Sequence, residues 1–239
     1  MKTYCISDIH GHLDNLNRFI QTLNEDDRVF VLGDVIDKGP KAIECLKLIM
    51  DDSRFTMLLG NHEYMMFNLL SAEPCSYTYN DAFDLWINYN EGGDTLDAYN
   101  ELPRYMQLRI YDYLKRLPLN IPDLKVGNNK FYLVHSYPHS DIKLTMADVE
   151  YSDINISSYV WDRVNLPASL EIDNKIVIAG HTPVQLHLGL SVERIKPVSD
   201  NQHNFIDSKY IDIDGGLATN LDNSKLIALC LNDLNYELY

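Results

Sequence analysis

Five short clusters of Asp, His and Asn side chains carry the chemistry that this sequence most clearly offers, and each follows an apolar run. They are Asp8–Ile9–His10–Gly11, Gly33–Asp34–Val35–Ile36–Asp37–Lys38–Gly39, Gly60–Asn61–His62–Glu63, His135–Ser136 and Gly180–His181–Thr182–Pro183. Carboxylate, amide and imidazole ligands without thiolate suit Mn²⁺, Fe²⁺ or Zn²⁺ better than copper. The clusters therefore predict a metal site, provided that the fold brings them together.

The apolar runs before these clusters have the length and β-branched content of strands, and most are bounded by Gly, Asn or Asp. The predicted strands are Thr3–Ser7, Arg28–Leu32, Phe55–Leu59, Lys130–Val134, Lys175–Ala179, Tyr210–Ile213 and Lys225–Leu231. Helically spaced apolar residues between the first three strands predict an α/β fold with parallel pairing. Because ligands gather beyond the carboxyl ends of such strands, we expect the clusters to meet at one end of the sheet.

The middle third of the chain differs, because helical patterns replace the strands there. We predict helices at residues 64–70, 82–89 and 105–117. They would form a helical insertion, at about residues 64–120, over one edge of the sheet. A length of 239 residues is compatible with one domain, so we expect a single domain over residues 1–239.

Six of the clustered side chains could be metal ligands: Asp8, His10, Asp34, Asn61, His135 and His181. Asp8 and His10 are two residues apart, so an extended backbone would point both to the same side. Six ligands exceed what one tetrahedral ion needs. They fit two neighbouring ions, with a carboxylate such as that of Asp34 bridging them.

Each of these side chains also has a structural alternative when it is taken alone. Asp8 could cap a helix, and Asp34 and Asp37 could stabilise turns at strand ends. His135 and His181 could each be a buried histidine with ordinary hydrogen-bond partners. The occurrence of all five clusters at strand ends favours a shared site.

In this order, the motifs resemble those of the calcineurin-like metallophosphoesterases, from residue 3 to about residue 216. Within that superfamily they are most similar to the branch that holds the phosphoprotein phosphatases, the lambda-type protein phosphatase and the symmetrical dinucleoside tetraphosphatases. The resemblance implies a two-sheet α/β/β/α sandwich with a helical insertion. It also implies two divalent metal ions as cofactors, Mn²⁺ first, with Fe²⁺/Fe³⁺, Zn²⁺ or Ni²⁺ as alternatives.

The resemblance further implies a role for each residue of the site. Asp8, His10 and Asp34 would hold the first metal ion. Asp34, Asn61, His135 and His181 would hold the second. His62 would be the general acid, oriented by Asp37. Arg163, Asn61 and Lys38 would bind the substrate phosphate, although Arg163 could instead form a structural ion pair or stack on Trp161.

The implied reaction is hydrolysis of a phosphomonoester by attack of a metal-activated hydroxide, as in a serine/threonine protein phosphatase. The alternative within the family is a symmetrical dinucleoside tetraphosphatase, which hydrolyses a phosphoanhydride. An alternative from another class is a metal-holding binding module, in which loss of His62 or Asp37 would be expected. Lys38 and Leu59 stand where the phosphoprotein phosphatases have arginine, which weakens the case for a phosphoprotein substrate.

The charge balance restricts the partners. The chain has 20 Lys and Arg against 35 Asp and Glu, and its net charge is −15. So acidic a protein lacks the basic surface that nucleic acids and anionic membranes need, whereas two metal ions would locally attract a phosphorylated substrate.

No apolar run approaches the roughly 18 residues of a membrane span. Four widely spaced cysteines predict buried thiols in a cytoplasmic protein, and nothing predicts the oligomeric state.

Overall fold

The computed structural model describes residues 1–139, 143–146, 155–164, 172, 174–186, 197–200, 208–219 and 223–239. The strands are β1 (Thr3–Ile6), β2 (Arg28–Val31), β3 (Phe55–Met57), β4 (Asn120–Val126), β5 (Asn129–Val134), β6 (Ile176–Ala179), β7 (Val198–Ser199), β8 (Tyr210–Asp212), β9 (Ile227–Cys230) and β10 (Tyr236–Leu238). The helices are α1 (Leu13–Ile20), α2 (Ala42–Asp51), α3 (Asn61–Ser71), α4 (Tyr77–Phe83), α5 (Gly93–Asn100), α6 (Arg104–Leu114) and α7 (Ile156–Trp161). A π-helical turn, Asp84–Asn88, follows α4 directly.

The strands form two five-stranded sheets. The first has the order β10-β9-β1-β2-β3, and the second has the order β4-β5-β6-β8-β7. Within the first sheet β1, β2 and β3 run parallel, and within the second sheet β5, β6 and β8 run parallel. Each sheet therefore contributes three parallel strands whose carboxyl ends can build a common site.

Alternation along the strands produces the layers. Phe30 of β2 packs into an apolar core shared by the two sheets, together with Leu133 of β5 and Leu229 of β9. Its neighbours Val29 and Val31 face the opposite side and join the larger core under the helices. Because side chains alternate between the two faces of a strand, both faces of the central strands are buried. The two-sheet α/β sandwich that the sequence led us to expect is confirmed.

Several elements differ from the predictions. Strand β4 was not predicted, since Pro122 interrupts its pattern; the strand lies at a sheet edge and its register shifts between Ile121 and Leu124, where proline is tolerated. The helix predicted at 82–89 is the end of α4 plus the π-helical turn. The prediction of buried cysteines is wrong for Cys75, which is exposed between α3 and α4, whereas the other three are buried. Among the described residues, no helix has the length and apolar character to cross a membrane.

Candidate metal centre

The six predicted ligands lie just beyond the carboxyl ends of parallel strands from both sheets. Asp8 and His10 follow β1, Asp34 follows β2, and Asn61 is the first residue of α3, after β3. From the second sheet, His135 directly follows β5 and His181 follows β6. All six side chains are buried. The structure thus brings together residues that span positions 8 to 181, as the strand-end rule predicts.

Asp34 lies at the middle of the group. Its Oδ2 atom is 3.7 Å from Nε2 of His10 and 3.5 Å from Nε2 of His135. The Oδ1 atom of Asp8 is 3.9 Å from the same His10 nitrogen. One carboxylate oxygen therefore faces ligands from both sheets, which is the position that a bridging ligand would take.

The second half of the group centres on Asn61. Its Oδ1 atom is 2.9 Å from Nε2 of His135 and 3.0 Å from Nδ1 of His181. The ligand atoms of Asp34, His135 and His181 all lie within 4.8 Å of one another. Metal ligands that share one ion are separated by similar distances, because each metal–ligand bond is about 2 Å long.

Backbone carbonyls orient two of the imidazoles. Nδ1 of His10 lies 3.0 Å from the carbonyl of Ile36, and Nδ1 of His135 lies 2.6 Å from the carbonyl of Leu32. A ring nitrogen that donates to a carbonyl fixes the tautomer and leaves Nε2 as the basic nitrogen. Both rings are consequently prepared to bind a cation through Nε2.

Strained backbone accompanies the ligands. Within the described residues, six of the ten non-glycine residues with positive φ are at this site: Asp8, His10, Asp34, Asp37, Lys38 and His181. Residues held in this region cost free energy and cluster at functional sites. Gly60 makes room for Asp34, because a β-carbon at Gly60 would overlap the Asp34 carboxylate.

The electrostatics of the group fit divalent cations. Burial raises the pKa of Asp8 to about 8 and that of Asp34 well above its ordinary value. Burial also lowers the pKa of His10 and His135 well below the ordinary value. Among the described residues, no lysine or arginine pairs with either carboxylate. Neutral imidazoles beside uncompensated carboxylates are the donor set that a divalent metal needs.

His62 and Asp37 form a hydrogen-bonded pair beside these ligands. Nδ1 of His62 lies 2.6 Å from Oδ2 of Asp37, and both side chains are buried. The backbone N–H of His62 donates to Oδ1 of Asp34 at 3.0 Å, which ties the pair to the metal ligands. A ring nitrogen of His62 also lies within 4.8 Å of ligand atoms of His10 and Asp34. Since Asp37 engages Nδ1, Nε2 is the nitrogen left to face the site.

Glu63 supports the loop that carries Asp34. Its fully buried carboxylate accepts hydrogen bonds from the backbone N–H groups of Asp34 and Val35, both at 2.8 Å, and of Ile36 and Gly60, both at 3.2 Å. One side chain thereby joins the turn after β2 to the start of α3. The sequence motif includes Glu63, but its spacing does not reveal this function.

The two predicted phosphate-binding cations differ in their surroundings. Arg163 is exposed, and its Nη1 atom lies 3.5 Å from Oγ1 of Thr182. Burial, and next the charge of Arg163, lower the pKa of His181 to about 4, so this guanidinium lies close to the site. Lys38 instead forms an ion pair with Glu91 at 3.1 Å. Arg163 is therefore placed to meet an anion, whereas Lys38 is partly neutralised.

Two further residues at the site could not be assigned from the sequence. Asp214 is buried, and burial together with the charge of Asp8 raises its pKa well above the ordinary value, so it adds another carboxylate beside Asp8. Trp86, from the π-helical turn, donates its indole N–H to Oδ2 of Asp37 at 2.7 Å. The sequence around Asp214, a strand followed by a Gly pair, is equally typical of a turn, and nothing in the pattern pointed to Trp86.

Comparison with known proteins agrees with this geometry. Residues 1–185 match the model of the family described as calcineurin-like phosphoesterase. The chain belongs to the calcineurin-like phosphoesterase family. The resemblance seen in the motifs is confirmed, and the family implies divalent metal ions for the His and Asp groups described above.

The individual relatives described below are 29% identical to this chain or less. A symmetrical bis(5'-nucleosyl)-tetraphosphatase from Actinobacillus succinogenes is 29% identical over 140 residues, which are 57% of this chain and 44% of that protein. The chain therefore spans less than half the length of this curated relative. The structure of a metallophosphoesterase from Sphaerobacter thermophilus matches with a TM-score of 0.58 and 14% identity, covering 100% of this chain and 88% of that one. A protein serine/threonine phosphatase from Saccharomyces cerevisiae matches with a TM-score of 0.56 and 17% identity, covering 100% and 79%.

Proposed function

We propose that this chain is a metal-dependent hydrolase that uses two divalent ions to cleave a phosphoanhydride of the dinucleoside tetraphosphate class. The observation that carries the proposal is the convergence of two carboxylates, an amide and three imidazoles on one centre, with Asp34 facing both halves. When bound, the two ions would supply the Lewis acidity that activates water and offsets the charge of the phosphoryl group.

The chain's own residues would perform the remaining steps. Arg163 would bind a phosphoryl oxygen from its position beside Thr182. His62 would transfer a proton from Nε2 to the leaving oxygen, while Asp37 holds the ring through Nδ1 and stabilises the imidazolium. The intact pair is the feature that favours an enzyme over a metal-holding binding module.

The comparisons favour a different substrate class from the one that the motifs alone favour. From the motifs alone, a phosphomonoester such as phosphoserine or phosphothreonine is the first expectation and a dinucleoside polyphosphate the second. The curated relative described above is named as a symmetrical tetraphosphatase, whereas the match to a serine/threonine phosphatase, at 17% identity, shows the fold alone. The pairing of Lys38 with Glu91 also weakens the phosphate clamp expected of a protein phosphatase.

A cavity lined by helix α3, the helix that begins at the predicted metal ligand Asn61, offers room for more than one phosphate. Its volume is about 360 Å³, within the range of small-molecule sites. Tyr64, Asn68 and Ser71 of α3 line it, and their spacing places them on the same helical face as Asn61. Phe67 and Tyr111 line it as well, and their rings, stacked with centroids 5.4 Å apart, offer an aromatic surface for a nucleotide base.

The test is a comparison of three substrates. Metal-free protein is incubated with Mn²⁺ and then with diadenosine tetraphosphate, a phosphothreonine peptide or 4-nitrophenyl phosphate. We expect kcat/KM for the tetraphosphate to exceed that for the peptide by at least about tenfold, because contacts beyond the reacting phosphate favour the larger ligand. Chromatography should show two molecules of ADP as products, which is symmetrical cleavage.

Other results would correct the proposal in defined ways. A higher kcat/KM for the phosphopeptide would restore the phosphomonoester as the substrate class. Formation of ATP and AMP would contradict symmetrical cleavage. If no substrate is hydrolysed while the metal is bound, the metal-holding module becomes the better explanation. When His62→Ala is tested in the same assays, His139→Ala serves as its control for the general effect of removing an imidazole, because His139 is exposed and lies 2.9 Å from Asp162.

A further inference from the structure

Within the part of the chain that the structure describes, the carboxylate of Asp37 is held at one of its two oxygens. Oδ2 accepts both the ring N–H of His62, at 2.6 Å, and the indole N–H of Trp86, at 2.7 Å. Oδ1 is buried and has no hydrogen-bond partner among the described residues. If Trp86 were absent, His62 would be the remaining hydrogen-bond partner of this carboxylate. Asp37 could then rotate together with His62 and would not hold the imidazole in one orientation.

Trp86 is itself firmly seated. Its side chain is fully buried, and it lies in the π-helical turn Asp84–Asn88, an uncommon conformation that is frequent at functional sites. Gly92 packs directly against the pyrrole part of the ring, because a β-carbon at this position would overlap the indole nitrogen. The backbone N–H of Gly92 also donates to the carbonyl of Trp86 at 3.0 Å. The ring therefore has little freedom to leave Asp37.

A second contact joins the same stretch of chain to the same loop. Glu91, next to Gly92, forms the ion pair with Lys38, next to Asp37. Glu91, Asp37 and Lys38 all have positive φ. Residues 86–92 thus contact the Asp37 loop through one buried hydrogen bond and one partly exposed ion pair, and only the buried contact reaches the carboxylate that orients His62.

We propose that Trp86 is a positioning residue for proton donation: its indole N–H fixes the Asp37 carboxylate, which in turn aims His62 at the leaving oxygen. This inference rests on the proposed function of His62. It predicts that loss of the indole N–H lowers kcat without changing metal content, and that the loss depends on how strongly the leaving group needs a proton.

The first experiment detects the hydrogen bond without any substrate. The chain has two tryptophans, so a spectrum of the ¹⁵N-labelled, Zn²⁺-loaded protein should contain two indole N–H signals, and Trp86→Phe assigns one of them. In Asp37→Asn that signal should move upfield, because an amide oxygen accepts more weakly than a carboxylate. The Trp161 signal and the rest of the spectrum report whether the variant is folded. An unmoved Trp86 signal in a folded variant would overturn the proposal.

The second experiment measures positioning through kinetics. Phenyl phosphate has a more basic leaving oxygen than 4-nitrophenyl phosphate and needs the proton more. In Trp86→Phe, kcat for phenyl phosphate should fall on the order of tenfold, with a smaller loss for the nitrophenyl ester and no change in KM. In a His62→Ala background the same substitution should change kcat by less than about twofold, because the residue that it acts through is gone.

Matched variants separate positioning from packing. Tyr99→Phe removes a hydroxyl from another buried aromatic residue, which donates to the carbonyl of Gln107, and should leave the two leaving groups equally affected. Gly92→Ala should reproduce the Trp86→Phe pattern by displacing the ring. Gly93→Ala, whose β-carbon would meet open space, should leave kcat unchanged.

The outcomes distinguish this inference from the function on which it rests. If the wild-type protein turns over no phosphate ester or anhydride, the proposed function fails, and the indole spectrum still reports on the contact. If the wild-type protein is active but Trp86→Phe lowers kcat equally for both esters, and additively with His62→Ala, the contribution of Trp86 is general stability. That result would overturn the positioning proposal.

Discussion

The metal-ligand group and the α4–α6 segment, residues 77–114, differ in how far their side chains are buried. In the first, the segments just after parallel strands hold every side chain, and all six predicted ligands are buried. In the second, several large apolar side chains face solvent, including Tyr77 and Tyr89, which are 81% and 78% exposed. Yet this helical segment delivers one fully buried ring, that of Trp86, to Asp37.

This difference suggests a division of tasks between the two regions. The strand ends fix the positions of metal ligands, whereas the helical segment supports the pair that would donate the proton. Variants in the first region should therefore lose metal, and variants that act through the second should keep metal and lose turnover. The three predictions that follow test this division, beginning with the largest effect.

Asp34→Asn should abolish turnover and reduce the bound metal from about two ions to one or none, because its carboxylate faces ligands of both halves. The same change should raise the melting temperature of the metal-free protein by about 2–4 °C, because a carboxyl whose pKa is raised by burial destabilises the folded state at neutral pH and asparagine lacks this penalty. Metal analysis after dialysis and thermal unfolding measure the two effects. Asp26→Asn, at an exposed aspartate, is the control. Full metal content in Asp34→Asn would show that this residue does not bridge two ions.

His62→Ala should lower kcat by about 10²- to 10⁴-fold while the metal content stays the same. The reason is that Nδ1 of His62 binds Asp37, so the ring is arranged for proton transfer instead of metal binding. Steady-state kinetics on the proposed substrate and metal analysis of the same sample check both halves of this statement. Loss of an ion in this variant would instead make His62 a ligand alongside His10 and Asp34.

Glu91→Gln should have the smallest effect, an about twofold decrease in KM with unchanged kcat, because it frees Lys38 to meet substrate phosphate. The stability should change by less than about 1 kcal/mol, since the Glu91 side chain is 74% exposed. Glu44→Gln breaks an exposed pair with Lys41 at the start of α2, where neither residue has a role in the proposed reaction, and should leave KM unaltered. A decrease in kcat that matches Trp86→Phe would mean that the ion pair, and not the indole, positions the loop.

Much of the site could be predicted because its determinants are local. Each ligand lies within a few residues of the end of an apolar run, as Asp34 follows β2 and His135 follows β5, so strand prediction also locates the ligands. The pairing of Lys38 with Glu91 could not be foreseen, because the two residues are distant in sequence and each is ordinary in its own surroundings. Strand β4 could not be predicted, because Pro122 interrupts its pattern. A proline is tolerated in a strand that lies at a sheet edge or has a bulge, and the sequence alone does not show that β4 has either feature.

The sequence by itself determined which side chains could bind cations and at which strand ends they would be found, because side-chain alternation and strand-end glycines are properties of short segments. Only the tertiary structure decided that Asp34 faces both halves of the centre and that Trp86 holds Asp37. Those contacts join segments that are separated along the chain, and their distances are set by how the two sheets and the helical segment pack. Packing depends on all of these elements together, so no single stretch of residues encodes it.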